Sequence, residues 1–201
     1  MALADFDSPG EWARDLDRRW PERAVLKDTL LAEIEGHLTY LDHPPRLLEL
    51  GIGAGELLLR LRKSYTNAFL AGLDVQVELT EFVSNGLAGD VLLVAADLRD
   101  TWPPLGGGFD VVFTLQTLHD VGGAAAQQRV YGQAAAALVP GGLFLNADFV
   151  VPMAHDDPRV PQRLPASKHL AMLRAERLGE TAVVTEAGGF ACVRAVRPKE
   201  D

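Results

Sequence analysis

Two kinds of residue in this sequence could do chemistry on a small molecule: acids standing at the ends of apolar runs, and one histidine placed the same way. Glu49 closes Arg46-Leu47-Leu48-Glu49-Leu50 and is followed by glycines at 51, 53 and 55; Asp74 closes Ala68-Phe69-Leu70-Ala71-Gly72-Leu73; Asp97 follows Val91-Leu92-Leu93-Val94-Ala95-Ala96; Gln116-Thr117-Leu118-His119-Asp120 follows a run from Phe109 to Leu115. A carboxylate accepts hydrogen bonds from hydroxyls and ammonium groups. A histidine titrates near neutrality and can take a proton from a hydroxyl. The glycines permit positive φ and remove the Cβ atoms that would keep a ligand away from the amides opening the next helix.

The acid before the glycine turn limits what the turn can hold. Glu49 would repel a nucleotide pyrophosphate, the third glycine of the dinucleotide pattern is replaced by Glu56, and no Lys-Ser/Thr follows to make a P-loop. A zwitterion with an ammonium or sulfonium charge fits better, because its own carboxylate can meet the free amides of the helix. S-adenosylmethionine has that chemistry. Asp74 stands 25 positions after Glu49, near the spacing at which nucleoside-binding folds place an acid on the ribose hydroxyls.

Alternating helices and strands must position these residues. The run from 46 to 50, the glycine turn and Leu57-Leu58-Leu59-Arg60-Leu61 read as strand, turn and helix. Strands near 68–74, 91–98, 109–115 and 143–150 follow, with helices near 76–86 and from Gly123 to about Val139 between them, so the expected fold is α/β: a doubly wound, mostly parallel Rossmann-like sheet with helices on both faces. Ligands of such sheets sit outside the carboxyl ends of the strands, where all the acids and His119 fall. Ahead of the first strand, Ser8-Pro9-Gly10-Glu11 has the form of a capping box opening a helix with Trp12, Leu16 and Trp20. Apolar residues at helical spacing from Val25 to Leu41 predict a second helix. Pro152 to Pro165 reads as a long irregular loop, Lys168 to Leu178 as a helix, Thr181 to Ala187 as a further turn or two, and Phe190 to Val196 as the last strand.

Glu49-Leu50-Gly51-Ile52-Gly53-Ala54-Gly55 resembles motif I of the class I S-adenosylmethionine-dependent methyltransferases. Asp74, Asp97, and the fourth strand followed by Leu138-Val139-Pro140-Gly141-Gly142-Leu143 fall in the family's order, and the likeness covers residues 46–150. The resemblance implies that S-adenosyl-L-methionine is the cofactor. It implies that Glu49, Gly51, Gly53, Gly55, Asp74, Asp97, Leu98 and Gln116 form its site, with Asp97 on the adenine amino group and the Leu98 amide on a ring nitrogen; Asp97 as a plain loop residue stays open. The N-terminal helices would form a lid, so Trp12, Trp20, His37 and Tyr40 could line a substrate pocket, unless they form the core stripe of a helical hairpin. Ala187-Gly188-Gly189-Phe190 looks like the entry to the family's sixth strand. No residues then remain for its antiparallel last strand, which is expected to be missing; the edge near 190–196 would be covered by the N-terminal segment or by a dimer mate. One domain is expected over 1–201, with the lid at 1–45, the cofactor core at 46–150, and the substrate loop, helix and last strand at 151–201.

Methyl transfer needs nucleophile and methyl held at attack distance, plus a base if a hydroxyl must lose its proton. His119 is the candidate base, with Asp120 to orient it or to cap the next helix; a structural hydrogen bond is its other reading. The chain lacks an Asn-Pro-Pro-Tyr-like element after strand four, so a small-molecule hydroxyl is the expected acceptor. The alternative is a relative that binds the cofactor without methylating, as scaffold, sensor or catalyst of another reaction on a natural-product-like substrate. His119, Asp120, Asp148, His155, Asp156 and Asp157 could ligate a divalent ion, but sequence-adjacent acids are commonly solvated, and no metal is expected.

The chain has 201 residues with a formal charge of −9, most of it in the first half. That balance disfavours nucleic acid, whose phosphates need clustered Lys and Arg. The lone cysteine, Cys192, cannot form an internal disulfide and suits a reducing compartment, and no signal peptide or membrane-spanning run is visible. The expected setting is cytoplasmic, with a small-molecule substrate, no nucleic acid or membrane partner, and a possible homodimer.

Overall fold

The structure, a computed structural model, describes residues 3–150 and 163–199. Helix α1 (Pro9–Arg19) opens as its capping residues dictate: Ser8 has extended backbone, and its hydroxyl accepts from the Glu11 amide at 3.2 Å. Helix α2 (Arg23–Leu38) buries Leu26, Leu30, Ile34 and Leu38 against one face of the sheet, whereas α1 buries no residue. The chain continues through β1 (Arg46–Leu50), α3 (Glu56–Ser64), β2 (Phe69–Asp74), α4 (Val77–Gly86), β3 (Val91–Ala95), β4 (Phe109–Leu115), α5 (Ala124–Ala137), β5 (Leu138–Phe149), α6 (Ala166–Ala175), β6 (Gly179–Ala187) and β7 (Phe190–Val196).

The sheet has strand order β3-β2-β1-β4-β5-β7-β6. The first five strands are parallel neighbours, and β1, β2 and β4 are buried on both faces, which is why they read as mostly apolar runs with few polar residues. One face packs on α2, α3 and Val83 of α4; the other packs on Val130, Tyr131 and Ala134 of α5 and Met172 and Leu173 of α6. β1 pairs with β2 on one side and β4 on the other. The order therefore reverses at β1, and a crevice opens there at the carboxyl edge.

The C-terminal region corrects the sequence reading. The antiparallel strand expected to be missing is present: β7 pairs antiparallel with β5, Leu143 opposite Val196 through Phe149 opposite Phe190, and β6 pairs antiparallel with β7 on its outer side. Thr181 to Ala187, expected as helical turns, is strand. The cause lies in Ala182-Val183-Val184-Thr185, whose β-branched side chains favour a pleated surface, and in Gly188 and Gly189, whose φ of 55° and 87° form a two-residue hairpin turn that closes on Ala187 opposite Phe190. With β7 inside the sheet, the unpaired edge at 190–196 that motivated a dimer does not exist. The Pro140-Gly141-Gly142 stretch also differs from expectation: it is an irregularity inside β5, which already pairs at Leu138 with Phe109 and resumes at Leu143 with Val111. Strand β3 stops at Ala95, short of the expected 98.

Candidate active site

A cavity of about 500 Å³ lies at the carboxyl edge, between the ends of β1, β2, β4 and β5 and helix α1. At its floor the β1–α3 turn holds Gly51, Gly53 and Gly55 at φ of 72°, 51° and 73°, where other residues are strained. The three glycines do different jobs. A Cβ on Gly51 would lie 2.2 Å from Thr117 Oγ1 and one on Gly55 2.6 Å from Val83, so these two let protein pack on protein; a Cβ on Gly53 would point toward the Trp12 ring, 3.4 Å away, across the cavity.

The acids sit around that turn in unequal states. Glu49 is buried, and its Oε2 has no hydrogen-bond partner; burial first, then the neighbouring Asp74 and Glu56 charges, push its pKa well above the ordinary glutamate value. Asp74 accepts from the Gly53 amide at 3.0 Å and from the Gln76 amide at 3.0 Å, and burial outweighs those bonds to raise its pKa. Asp97 and Leu98 also line the cavity, but Asp97 is held by Arg99, whose Nε lies 2.9 Å from Oδ1 and lowers its pKa. A ligand reaching Asp97 shares it with that guanidinium.

At the far end, the short 3-10 turn Leu118–Asp120 places His119 against the end of β5. Asp148, 1% exposed, accepts from the His119 amide at 2.9 Å and from His119 Nδ1 at 2.7 Å. That leaves Nε2 as the free imidazole nitrogen, 3.4 Å from Asp120, whose side chain is 68% exposed. Burial disfavours the imidazolium, but the Asp148 charge and hydrogen bond, helped by Asp120, outweigh it, and the pKa of His119 is raised. The Phe149 ring meets His119 edge-on at 4.9 Å, Trp20 edge-on at 5.4 Å and the Arg163 guanidinium face-on at 3.7 Å.

Helix α1 and the start of α2 roof the cavity with Trp12, Leu16, Trp20 and Arg23. Arg23 donates from Nε to Asp17 at 2.7 Å and from its terminal nitrogen to Gln116 Oε1. Lys27, almost fully buried, joins Asp17 at 2.8 Å to Glu56, the first residue of α3. Gln116 has φ of 51°, uncommon outside glycine, and its Nε2 is buried without a partner. A strained residue with an orphaned donor at a cavity wall is the kind of feature that clusters at functional sites.

Residues 47–142 match the family model described as a methyltransferase domain. These residues are a methyltransferase domain, consistent with a class I Rossmann-like methyltransferase. Among solved structures, the chain is similar to the S-adenosylmethionine-dependent methyltransferase SibL (18% identity over 78% of this chain and 51% of that one, TM-score 0.62). It is also similar to CalS10, an amino pentose methyltransferase of Micromonospora echinaspora (19%, 85% and 90%, 0.68), and to the [4+2]-cyclase SpnF (18%, 85% and 80%, 0.65). At such identities the likeness speaks for the fold. The chain spans about half the length of SibL and most of the other two. No curated protein matches it in sequence.

The methyltransferase cofactor, S-adenosylmethionine, fits the residues present. The orphaned Glu49 oxygen can accept from an ammonium, Asp74 retains lone pairs for ribose hydroxyls, and the cavity-facing Gly53 leaves room that any side chain would take. All the expected cofactor residues line this cavity except Gly55, which packs on Val83 instead. Both expected catalytic residues, His119 and Asp120, line it too, but Asp148 and not Asp120 holds the imidazole's ring nitrogen, because Asp120 reaches only Nε2 from the exposed side. Trp12 and Trp20 line the cavity, Tyr40 is 88% exposed, and neither Tyr40 nor His37 faces it. The sequence reading passed over Arg23, Gln116's link to it, Phe149 and Arg163. Arg23 and Lys27 carried a signal, since two cations a turn apart inside an apolar helix face need buried partners. Of the metal-ligand candidates, His155, Asp156 and Asp157 lie outside the described residues; among the described ones no group of three or more His, Cys, Asp and Glu is arranged to hold a metal. No helix among the described residues is long and apolar enough to cross a membrane.

Proposed function

We propose that this methyltransferase moves a methyl group from S-adenosylmethionine to a hydroxyl of a small molecule, with His119 as general base. The observation that carries the reading is the His119–Asp148 pair at the acceptor end of the cavity that also contains the glycine turn. S-adenosylmethionine supplies an electrophilic methyl on a sulfonium, whose C–S bond breaks as the acceptor oxygen bonds to carbon, leaving the neutral thioether S-adenosylhomocysteine. Asp148 accepts the Nδ1 proton and so fixes the tautomer in which Nε2 carries a lone pair. Nε2 takes the hydroxyl proton as the oxygen attacks, and the resulting imidazolium, stabilised by Asp148, passes it to solvent. Glu49 and Asp74 hold the cofactor, Asp97 and the Leu98 amide its base, and Gln116 its approach to the acceptor; Trp12 and Trp20 exclude water.

The support from relatives is of two kinds: CalS10 is an amino sugar methyltransferase, whereas SpnF is a cyclase on the same architecture. The second keeps a reaction other than methylation as the competing reading. Incubation with methyl-labelled S-adenosylmethionine and paired hydroxyl and amino acceptors separates them. Label is expected on oxygen, with stoichiometric S-adenosylhomocysteine. Tight cofactor binding with no label transferred to any acceptor would favour the second reading, and label on nitrogen would displace the hydroxyl.

A further inference from the structure

Among the described residues at the acceptor end of the cavity, one cation makes no ion pair. Arg163 follows the residues outside the description, lines the cavity, and lays its guanidinium 3.7 Å from the centroid of the Phe149 ring. Its Nε is buried with no hydrogen-bond partner, and it makes no ion pair among the described residues. The other arginines of the cavity are engaged: Arg19 with Asp15 at 2.6 Å, Arg23 with Asp17, and Arg99 with Asp97. An arginine stacked on an aromatic face keeps the edge of its fork free, and that edge presents parallel N–H donors suited to a carboxylate.

The neighbours narrow the ligand further. Trp12, Trp20 and Phe149 supply flat apolar walls, and His119, edge-on to the same Phe149 ring, brings the base to within one ring's reach of the guanidinium. Facing carboxylates do not neutralise Arg163: Asp148 is committed to His119 and the Phe149 amide, and Asp15 to Arg18 and Arg19. Asp120 projects to solvent beside His119 Nε2.

We propose that the acceptor is an aromatic carboxylic acid bearing a hydroxyl, its carboxylate paired with Arg163 and its ring packed among Trp12, Trp20 and Phe149. This rests on the methyltransferase reading for the role of the hydroxyl, but the carboxylate pairing is separable from it. A carboxylate at Arg163 orients the ring so that the hydroxyl at its other end meets His119.

The test uses binding, so that it does not depend on finding the natural acceptor. Benzoate and benzamide are titrated into the protein saturated with S-adenosylhomocysteine, with quenching of Trp12 and Trp20 fluorescence as readout. Benzoate is expected to bind at least about tenfold more tightly than benzamide, the scale of one charge-assisted hydrogen-bonded pair. Arg163→Leu is expected to erase the preference and Arg163→Lys to restore part of it, with S-adenosylhomocysteine affinity unchanged in both. Equal binding of the two probes, binding of neither, or a preference that survives Arg163→Leu would each overturn the proposal. If S-adenosylhomocysteine itself fails to bind the wild type while benzoate is still preferred, the cofactor reading falls and the Arg163 site stands.

Discussion

At the glycine-turn end of the cavity the protein offers mostly backbone and two buried acids; at the His119 end it offers side chains leaning on one phenylalanine. The first region is contiguous in sequence, from Glu49 to Glu56, and its shape is set by positive φ at three glycines. The second draws Trp20 from the end of α1, His119 from the turn after β4, Phe149 from the end of β5 and Arg163 from before α6. Backbone geometry allows few residue types at a position, whereas a packed side-chain cluster can be reached by many combinations. A cavity with one half of each kind can keep the ligand of one end while that of the other changes.

If the two ends are independent, their substitutions should fail in different ways. His119→Ala is expected to lower turnover by about 10²- to 10⁴-fold, while S-adenosylmethionine affinity by calorimetry stays within about threefold. Loss of cofactor binding in that variant would merge the two ends into one. Gly53→Val should do the reverse. It forces a β-branched residue to φ near 51° and a side chain toward Trp12, and a penalty of about 1–3 kcal/mol from backbone strain alone, plus the lost space, should appear in the binding isotherm. Asp148→Asn should cut turnover by about tenfold or more, a fraction of what the base contributes, and move the acid limb of the pH–rate profile to lower pH, because the charge that raises the His119 pKa is gone. A limb that stays in place would mean that another group titrates.

Glu49 sharpens the comparison through protons. Its raised pKa means the folded protein without cofactor favours the neutral acid, so stability from this group is present below the ordinary glutamate pKa and is lost as pH rises through the raised value. A cationic ligand favours the carboxylate, so binding should tighten as pH climbs through that range and should release a proton, detectable by calorimetry in two buffers of different ionisation enthalpy. Glu49→Gln should flatten the pH dependence and raise the melting temperature of the free protein at alkaline pH. The smallest effect is expected from Asp120→Asn: the exposed carboxylate contributes least of the two that raise the His119 pKa, so the acid limb should move down slightly with little change in plateau rate.

The same contrast explains what could be read in the sequence. The parallel strands, their order of acids and the glycine turn are local patterns, and they appear where the spacing puts them. Asp148 was visible only as an acid inside a strand, and its bond to His119 required knowing that the ends of β4 and β5 lie side by side. Arg163 gives no sequence signal at all, since one arginine in a proline-rich stretch is ordinary. The β6–β7 hairpin is a different case: the expectation of a turn or two over Thr181 to Ala187 leaves unused a signal the sequence does carry, since two β-branched or apolar runs joined by Gly-Gly are themselves a hairpin signature.

Strand β7 closes this picture from the far end of the chain. It lies beside β5 with Ala191 opposite Asp148 and Phe190 opposite Phe149, so the acid bonded to His119 and the ring that gathers Trp20, His119 and Arg163 are held by residues made well after them. During synthesis the glycine turn and its acids emerge first and can close on their own strands, in the vectorial order in which chains fold. Asp148 and Phe149 acquire their second strand neighbour only after Phe190 and Ala191 have left the ribosome. The glycine-turn end of the cavity is then able to take its shape before the His119 end does.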